Sequence, residues 1–130
     1  MEEKSQIITK QLKDTCKITE AQWAVWVERV GSKWLVRHQF GLNPKKMQAL
    51  ELMVENSKIC TRISGGLKTG RTRSFKTNQW KTNLDCQTTF IFPNKNSQSV
   101  LLVGADKLEE RSQVFFSVLA QAGISHSQTE

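Results

Sequence analysis

The sequence predicts an α+β domain with a largely antiparallel sheet. Two pairs of strand-like segments, one in each half of the 130-residue chain, are joined by short turns, and hairpins of this kind place antiparallel strands side by side. The other periodic segments carry a single apolar stripe at helical spacing. A helix with one apolar stripe buries it against a sheet face, so we expect the helices to cover the sheet.

The first half of the chain predicts a helix followed by a hairpin. The helix spans about 5–17, where apolar residues recur every four positions at Ile8, Leu12 and Cys16. Two β-branched and aromatic runs follow, 22–30 and 33–40, and the Gly31-Ser32 turn between them predicts a hairpin. On the second of these strands we expect His38 to lie as a core or pocket-lining residue on one face with Trp34, Val36 and Phe40.

A second helix and a second hairpin are predicted further along the chain. Asn43-Pro44 predicts a helix start, because Asn accepts hydrogen bonds from orphan amides and Pro at the first position loses no needed donor. This helix runs to about Asn56. Strands at 86–92 and 99–104 flank the turn at 93–96, and the second of them is continuously apolar, as in a strand at the middle of a sheet.

The last helix is predicted from Asp106 to Gly123. Asp106 and Glu109 have the spacing of a capping box, and Gly123 is suited to the C-terminal end. The stripe of this helix comprises Leu108, Ser112, Phe115, Leu119 and Ala122. We therefore expect one domain over 1–130, with a core from about 5 to 123 and a polar tail at 124–130.

Hydropathy and cysteine usage predict a cytoplasmic protein without membrane insertion. No segment approaches the length of about 20 apolar residues that a membrane span needs. The polar start of the sequence, Met1 to Gln6, lacks an apolar secretion core. Three widely spaced cysteines, Cys16, Cys60 and Cys86, are read as reduced thiols rather than as a disulfide framework.

The net charge of +7 lies in one segment of the chain. No acidic residue occurs between Glu55 and Asp85, whereas 7 basic residues do, and the rest of the chain carries 12 basic and 12 acidic side chains. We name residues 58–81 the basic segment. It is predicted to be a long solvated connection, with a possible short strand around 71–77, or else a loop that faces an anionic ligand, partner or nucleic acid.

The chemistry-bearing residues do not form a catalytic set. Residues 65–72 have Walker A spacing, but Arg71 replaces the lysine and no apolar helix follows, so a flexible loop is predicted there. The histidines, His38 and His126, are the only two, and no Cys-x-x-Cys pair or nucleophile elbow is present. We expect neither an enzyme nor a metal site.

Three stretches carry a family resemblance, within a match that covers about 12–120. They are ITEAQWAVW at 18–26, FGLNP at 40–44, and the run from FIFP at 90 through LLVGAD to QVF ending at 115. In this order and spacing they resemble a GAF domain of bacterial sensor histidine kinases, particularly of the cyanobacterial type. None of the three stretches is a catalytic signature.

The resemblance implies a fold and a function. The fold is a central antiparallel sheet of five to six strands, with the first and last helices on one face and a helix plus loops on the other. The function is that of a noncatalytic sensory input domain that binds a small ligand or partner. In such domains the terminal helices form a homodimer contact and transmit the signal, which implies that role for Ile8, Leu12, Leu108, Phe115 and Leu119.

The ligand side of the resemblance is less specific. The basic segment lies where the family has pocket-covering loops, and the candidate ligand-binding residues are His38, Cys60, Arg71, Arg73 and Trp80. Bilin-binding relatives attach their tetrapyrrole through a cysteine that is usually followed by histidine, whereas Thr61 follows Cys60. We therefore expect no bilin attachment, and the cofactor remains unassigned.

A nucleic-acid-binding module is the alternative hypothesis. Cationic and aromatic side chains that interleave along a chain can contact phosphates and stack on bases. In the basic segment these residues are Lys68, Arg71, Arg73, Lys76, Trp80 and Lys81. Of the two hypotheses we favour the sensor, with no nucleic-acid partner.

Overall fold

A computed structural model describes residues 2–77, 84, 86–94 and 98–122 of the chain. Within these ranges the chain forms four helices and five strands. In chain order these are α1 (Glu2–Thr19), β1 (Trp23–Val30), β2 (Lys33–Phe40), α2 (Pro44–Glu55), α3 (Ser57–Thr69), β3 (Arg73–Lys76), β4 (Thr88–Asn94), β5 (Ser99–Ala105) and α4 (Glu110–Ala122). Among the described residues, no helix has the length and apolar character needed to cross a membrane.

The strands form one sheet in the order β2-β1-β5-β4-β3, and every neighbouring pair is antiparallel. This confirms the α+β prediction, including both hairpins and the short strand in the basic segment. All seven residues of β5 are buried, as its uninterrupted apolar sequence predicts for a central strand. The two-residue turn at Gly31-Ser32 joins β1 and β2, with Gly31 at a φ of 65°.

The sheet separates two apolar cores. On one face α1 and α4 pack through Leu12 and Phe116 onto Phe92 and Leu101. On the other face α2 and α3 pack onto side chains of β1, β4 and β5 that include Trp23. The terminal helices therefore share one face, as the family resemblance implies.

The first part of the basic segment is a helix, so the prediction of a loop there is wrong. Asn56 caps α3, because its Oδ1 accepts from the backbone N–H of Lys58 at 2.9 Å. Ile59, Ile63 and Gly66 recur on one face of α3 and are buried against the sheet. This burial outweighs the low helix propensity of the Gly65-Gly66 pair, because most helical stability in proteins comes from tertiary packing.

Gly65→Ala is expected to stabilise the protein by about 0.5–1 kcal/mol. Gly65 lies inside α3, where alanine has the higher helix propensity. An added Cβ would lie 3.4 Å from Nη1 of Arg73, at the far end of a flexible side chain that can adjust. Urea unfolding followed by far-UV circular dichroism measures the change. A loss of stability would mean that the Arg73 guanidinium cannot move off the helix.

The last helix begins four residues later than its capping-box pattern predicts. Asp106 does not cap α4; its Oδ1 accepts instead from the backbone N–H of Gln87 at 3.0 Å. Helical hydrogen bonding begins with the N–H of Gln113, which donates to the carbonyl oxygen of Glu109 at 2.9 Å. Leu108 therefore precedes α4, although it is buried in the same core. Gly123 and the predicted tail lie outside the described residues.

The buried face of α4 also differs from the predicted stripe. Phe116 is fully buried, whereas Phe115 is 46% exposed and points away from the core. Leu119 is half-buried and packs against the core that holds Leu12, as does Ile8. The fully buried residues of α4 are Phe116 and Ala120, each one position beyond Phe115 and Leu119 of the predicted stripe. Packing against the sheet sets this face of the helix.

Candidate functional site

Four side chains form a buried polar cluster on the sheet face under α2 and α3. They are Trp23, Thr77, Cys86 and Thr89, which we name the polar row. Trp23 on β1 pairs with Gly104 on β5, and Gly104 pairs with Thr89 on β4. Cross-strand partners point to the same face of a sheet, so the row extends sideways across three strands.

Gly104 allows the indole of Trp23 to cross β5. A Cβ at position 104 would overlap Cε2 and Nε1 of Trp23, so only glycine fits beneath the ring. Gly41, at a φ of 93°, also approaches closely, since a Cβ there would overlap the carbonyl oxygen of Gln22. Trp23 therefore lies between two glycines, Gly41 and Gly104, at which a larger residue would clash.

The hydrogen bonds of the polar row leave the Trp23 indole without an acceptor of regular geometry. The hydroxyls of Thr77 and Thr89 lie 2.5 Å apart, and the Cys86 thiol donates to Thr77 Oγ1 at 3.5 Å. Trp23 is 1% exposed, and its Nε1–H has no acceptor at hydrogen-bonding geometry within the described ranges. Leaving a buried donor unsatisfied costs about 1–3 kcal/mol.

The polar row carries no charge at neutral pH. Burial raises the pKa of the Cys86 thiol, and neighbouring Thr77 and Trp23, which lower it, offset only part of this effect. The thiol therefore stays protonated at neutral pH. Indole and hydroxyl groups are also neutral there, so the row offers hydrogen bonds without ionic attraction.

Apart from the polar row, the structure has an open cleft of about 400 Å³ between the β1–β2 turn and the α2–α3 junction. Trp34, Leu35 and Val54 provide its apolar lining, and Cys60 lies in the wall. The Cys60 thiol donates to the carbonyl oxygen of Val54 at 2.8 Å, and burial raises its pKa. A protonated thiol is a weak nucleophile. The ligand-binding role predicted for Cys60 stays a prediction.

His38 lies on the opposite side of the sheet from the one that its strand position predicts. A β-bulge in β2 makes Arg37 an extra residue, since Val27 pairs with Val36 and Trp26 pairs with His38. Trp34 and Val36 face α2 and α3, whereas His38 and Phe40 face the terminal helices. The predicted grouping of His38 with Trp34 and Val36 is therefore wrong, because one inserted residue reverses the face.

The remaining predicted ligand residues are spread over the α3 side. Arg71 is exposed just beyond the C-terminal end of α3, which Gly70 closes in a left-handed conformation. Arg73 is on the edge strand β3, with its guanidinium beside Gly65. Trp80 lies outside the described residues. His38 is on the other sheet face, so the candidates that the structure describes do not all share one site.

No local sequence pattern predicts the polar row. Its members come from positions 23, 77, 86 and 89, and they meet only through strand pairing. One signal was present in the sequence, because Gly104 directly follows four large apolar residues, 100–103, within a strand. A glycine inside a strand indicates that another part of the chain or a ligand packs closely there, but the sequence does not show which residue does so.

Alkaline pH is expected to destabilise the fold through Cys16. Burial raises the pKa of this thiol from its ordinary 9.0 to about 12, so above about pH 9 only the unfolded chain loses the proton. The free energy of unfolding should therefore be insensitive to this group below pH 9 and fall between about pH 9 and 12. Urea unfolding across this range should show a shallower decline in Cys16→Ala, and identical slopes would contradict the assignment.

Comparisons with known proteins bear on the fold. No protein-family model matches the sequence, and no curated protein sequence matches it significantly. Solved structures do match. The GAF domain/HD domain protein from Geobacter sulfurreducens superposes with a TM-score of 0.70 at 11% identity, covering 98% of this chain and 95% of that one. The chain has the GAF-domain fold.

Two further GAF domains have the same arrangement. One is from an Acinetobacter phosphoenolpyruvate-protein phosphotransferase, with a TM-score of 0.66, 10% identity, and coverage of 97% of this chain and 84% of that one. The other is from a two-component sensor histidine kinase of Bacillus halodurans, with a TM-score of 0.59, 14% identity and 95% coverage of both chains. At these identities the similarity is one of GAF fold.

Proposed function

We propose that this chain is a noncatalytic sensory or regulatory domain of a signal-transduction protein. It binds a small ligand or partner on the face under α2 and α3 and signals through α1 and α4. The packing of the sheet supports this proposal, because alternate residues of one strand belong to the cores on its two faces. A change on the ligand-binding face can therefore reach the face that α1 and α4 cover. On β1, Trp23 and Val25 lie in the α2–α3 core, and Ala24 and Trp26 lie in the terminal-helix core.

Side-chain hydrogen bonds connect α4 to the sheet and supply a route for such a signal. The buried Asn94, at the end of β4, donates from Nδ2 to the carbonyl oxygen of Ala120 at 2.7 Å. Gln121 donates from Nε2 to the carbonyl oxygen of Pro93 at 3.3 Å. A displacement of β4 therefore moves the last turn of α4.

The finer assignment, to an input domain of cyanobacterial-type sensor histidine kinases, rests on the three sequence stretches given above. Residues 40–44 end β2 and start α2, and residues 18–26 lead from α1 into β1. We also propose that no bilin is attached. A visible absorbance band in the purified protein would contradict that part of the proposal.

A homodimer through the terminal helices is part of the proposal. Leu12 and Leu108 are buried against the sheet and cannot contact a second copy. The exposed apolar side chains of α4 are Val114, Phe115 and Val118, and the first and last of these are one helical turn apart. We assign the dimer contact to this stripe.

Val118→Glu is expected to convert a dimer to a monomer in sedimentation velocity experiments. Val118 is 62% exposed, so a glutamate there leaves the core intact but introduces a charge into the contact. Leu52→Glu is the matched control, because Leu52 is 68% exposed on α2, on the other face of the sheet. A wild-type protein that remains monomeric at high concentration would contradict the dimer.

Ligand binding is tested by thermal unfolding of the whole chain in the presence of a collection of bacterial metabolites. A ligand that binds only the folded state raises its stability by about 2.7 kcal/mol at 100 times its Kd. We expect at least one small molecule to raise the Tm in this way and to shift the dimer equilibrium. Absence of any stabilising metabolite would contradict ligand sensing.

The basic segment is expected not to bind nucleic acid. Lys68 and Arg71 lie at the C-terminal end of α3, where cations stabilise the helix dipole, and Arg73 and Lys76 are on an edge strand that charges keep from pairing. A titration with single-stranded DNA at two salt concentrations is the measurement. Binding through about six phosphate contacts would show a log-log salt slope of roughly −4 to −5 and would favour the alternative function.

A further inference from the structure

We propose that the polar row binds a small uncharged molecule that carries a hydrogen-bond acceptor, and that Trp23 Nε1–H donates to that acceptor. The inference rests on the proposed sensory function and names the chemical class of its ligand. It starts from the indole N–H, which is fully buried and makes no hydrogen bond of regular geometry within the described ranges. Its polar neighbour is the Cys86 thiol, whose sulfur is only a weak acceptor. Buried donors in folded proteins are nearly always well satisfied, so a donor that faces only a weak sulfur acceptor points to a stronger acceptor on a bound molecule.

The surroundings of the indole show that its position is specific. Trp23 lies over Gly104, where no side chain other than hydrogen fits, and it reaches Cys86, which belongs to the same buried core. The indole N–H lies near the Cys86 thiol, which in turn donates to the hydroxyl of Thr77. The donor is therefore next to a polar group within an otherwise apolar core.

The chemistry of the row excludes an ionic ligand. Its other members offer hydroxyl and protonated thiol groups, and each of them is buried. Bringing a carboxylate or an ammonium ion into this environment without a charged partner is strongly unfavourable. The exposed Asp106 raises the pKa of Cys86 through its negative charge and would repel an anion at the row. A neutral amide, ketone or similar oxygen acceptor fits these groups.

The Trp23 indole resonance in ¹H–¹⁵N NMR of the whole chain tests the proposal. The probes are acetamide and benzamide as neutral acceptors, benzoate as the charged analogue of benzamide, and toluene as the analogue without an acceptor. We expect a saturable shift of the Trp23 Nε1–H signal with a neutral amide, and none with benzoate or toluene. An equal response to benzoate, or no response to either amide, overturns the proposal.

Substitutions separate the donor from general packing. Trp23→Phe removes the N–H and is expected to weaken amide binding about tenfold, the effect of losing one hydrogen bond. Trp26→Phe is the matched control, because Trp26 is buried three residues away on the opposite face of the same strand. Amide binding that Trp23→Phe leaves unchanged assigns the amide to another place and overturns the proposal.

A second variant covers the case in which Trp23→Phe does not fold. Thr89→Val keeps the shape of the side chain and removes a hydroxyl of the row, and we expect weaker amide binding with an unchanged overall spectrum. Contact of the indole N–H with a buried water only, seen as a cross-peak to water that no probe displaces, also overturns the proposal.

Failure of this inference is distinguishable from failure of the sensory function. Metabolites that stabilise the chain equally in the wild type and in Trp23→Phe would preserve the sensor and exclude the polar row. A monomeric chain that no metabolite stabilises would exclude the sensor itself.

Discussion

Gly104→Ala is expected to destabilise the protein by about 3 kcal/mol, the upper part of the range for overpacking a core. The added Cβ would overlap the indole of Trp23, and neither group can move easily, because β5 is the central strand and Trp23 is fully buried. The free energy of unfolding from urea titrations measures the loss.

Gly66→Ala is the matched control for this substitution. A Cβ at Gly66 would lie 3.5 Å from Cγ2 of Ile91, which is an ordinary van der Waals contact. We expect this variant to be as stable as the wild type or slightly more stable, because alanine is the better helix former. The two variants add the same methyl group to two buried glycines, so their difference isolates the overlap with Trp23.

A double-mutant cycle identifies Trp23 as the source of the effect. When Trp23 is replaced by alanine, the space over Gly104 is vacated, and Gly104→Ala should then cost much less than in the wild type. An unchanged cost in the Trp23→Ala background would show that the strand itself requires glycine, independent of the indole.

Phe116→Ala is expected to cost about 3–5 kcal/mol, as large-to-small changes of buried aromatic residues do. Phe116 is 0% exposed, and its ring centroid lies 5.6 Å from that of Phe92 in the core under the terminal helices. Chemical denaturation monitored by circular dichroism is the measurement.

The neighbouring residue supplies the control. Phe115→Ala removes the same side chain from an exposed position, so a stability change within about 0.5 kcal/mol is expected. This variant should instead weaken the proposed dimer, which sedimentation can detect. The opposite ranking of the two variants would mean that α4 presents Phe115 to the sheet.

The sequence correctly predicted the strands and helices that are specified by local residue patterns. Both hairpins follow from alternating or continuous apolar runs that end at turns, and α2 follows from the Asn43 cap, whose Oδ1 accepts from the backbone N–H of Lys46 at 2.8 Å. In each case the deciding interactions lie within a few residues of one another. Local patterns therefore sufficed for the α+β class and the antiparallel sheet.

The wrong predictions concern segments whose structure depends on contacts with residues distant in the sequence. The helix α3 contains two adjacent glycines, and its stability comes from burial of Ile59 and Ile63 against strands elsewhere in the sequence. Ile59, Ile63 and Leu67 recur at a spacing of four in the sequence, but local propensity does not favour a helix there, because two glycines and several polar residues surround them.

By itself, the sequence determined the class of fold, the two hairpins and the location of the excess charge, because these depend on composition and short-range periodicity. The tertiary structure alone decided which face each side chain occupies. A single bulge residue, Arg37, moved His38 to the terminal-helix face, and strand pairing brought Trp23 over Gly104 and beside Cys86. Such placements depend on register between segments distant in the chain, which one-dimensional spacing does not record.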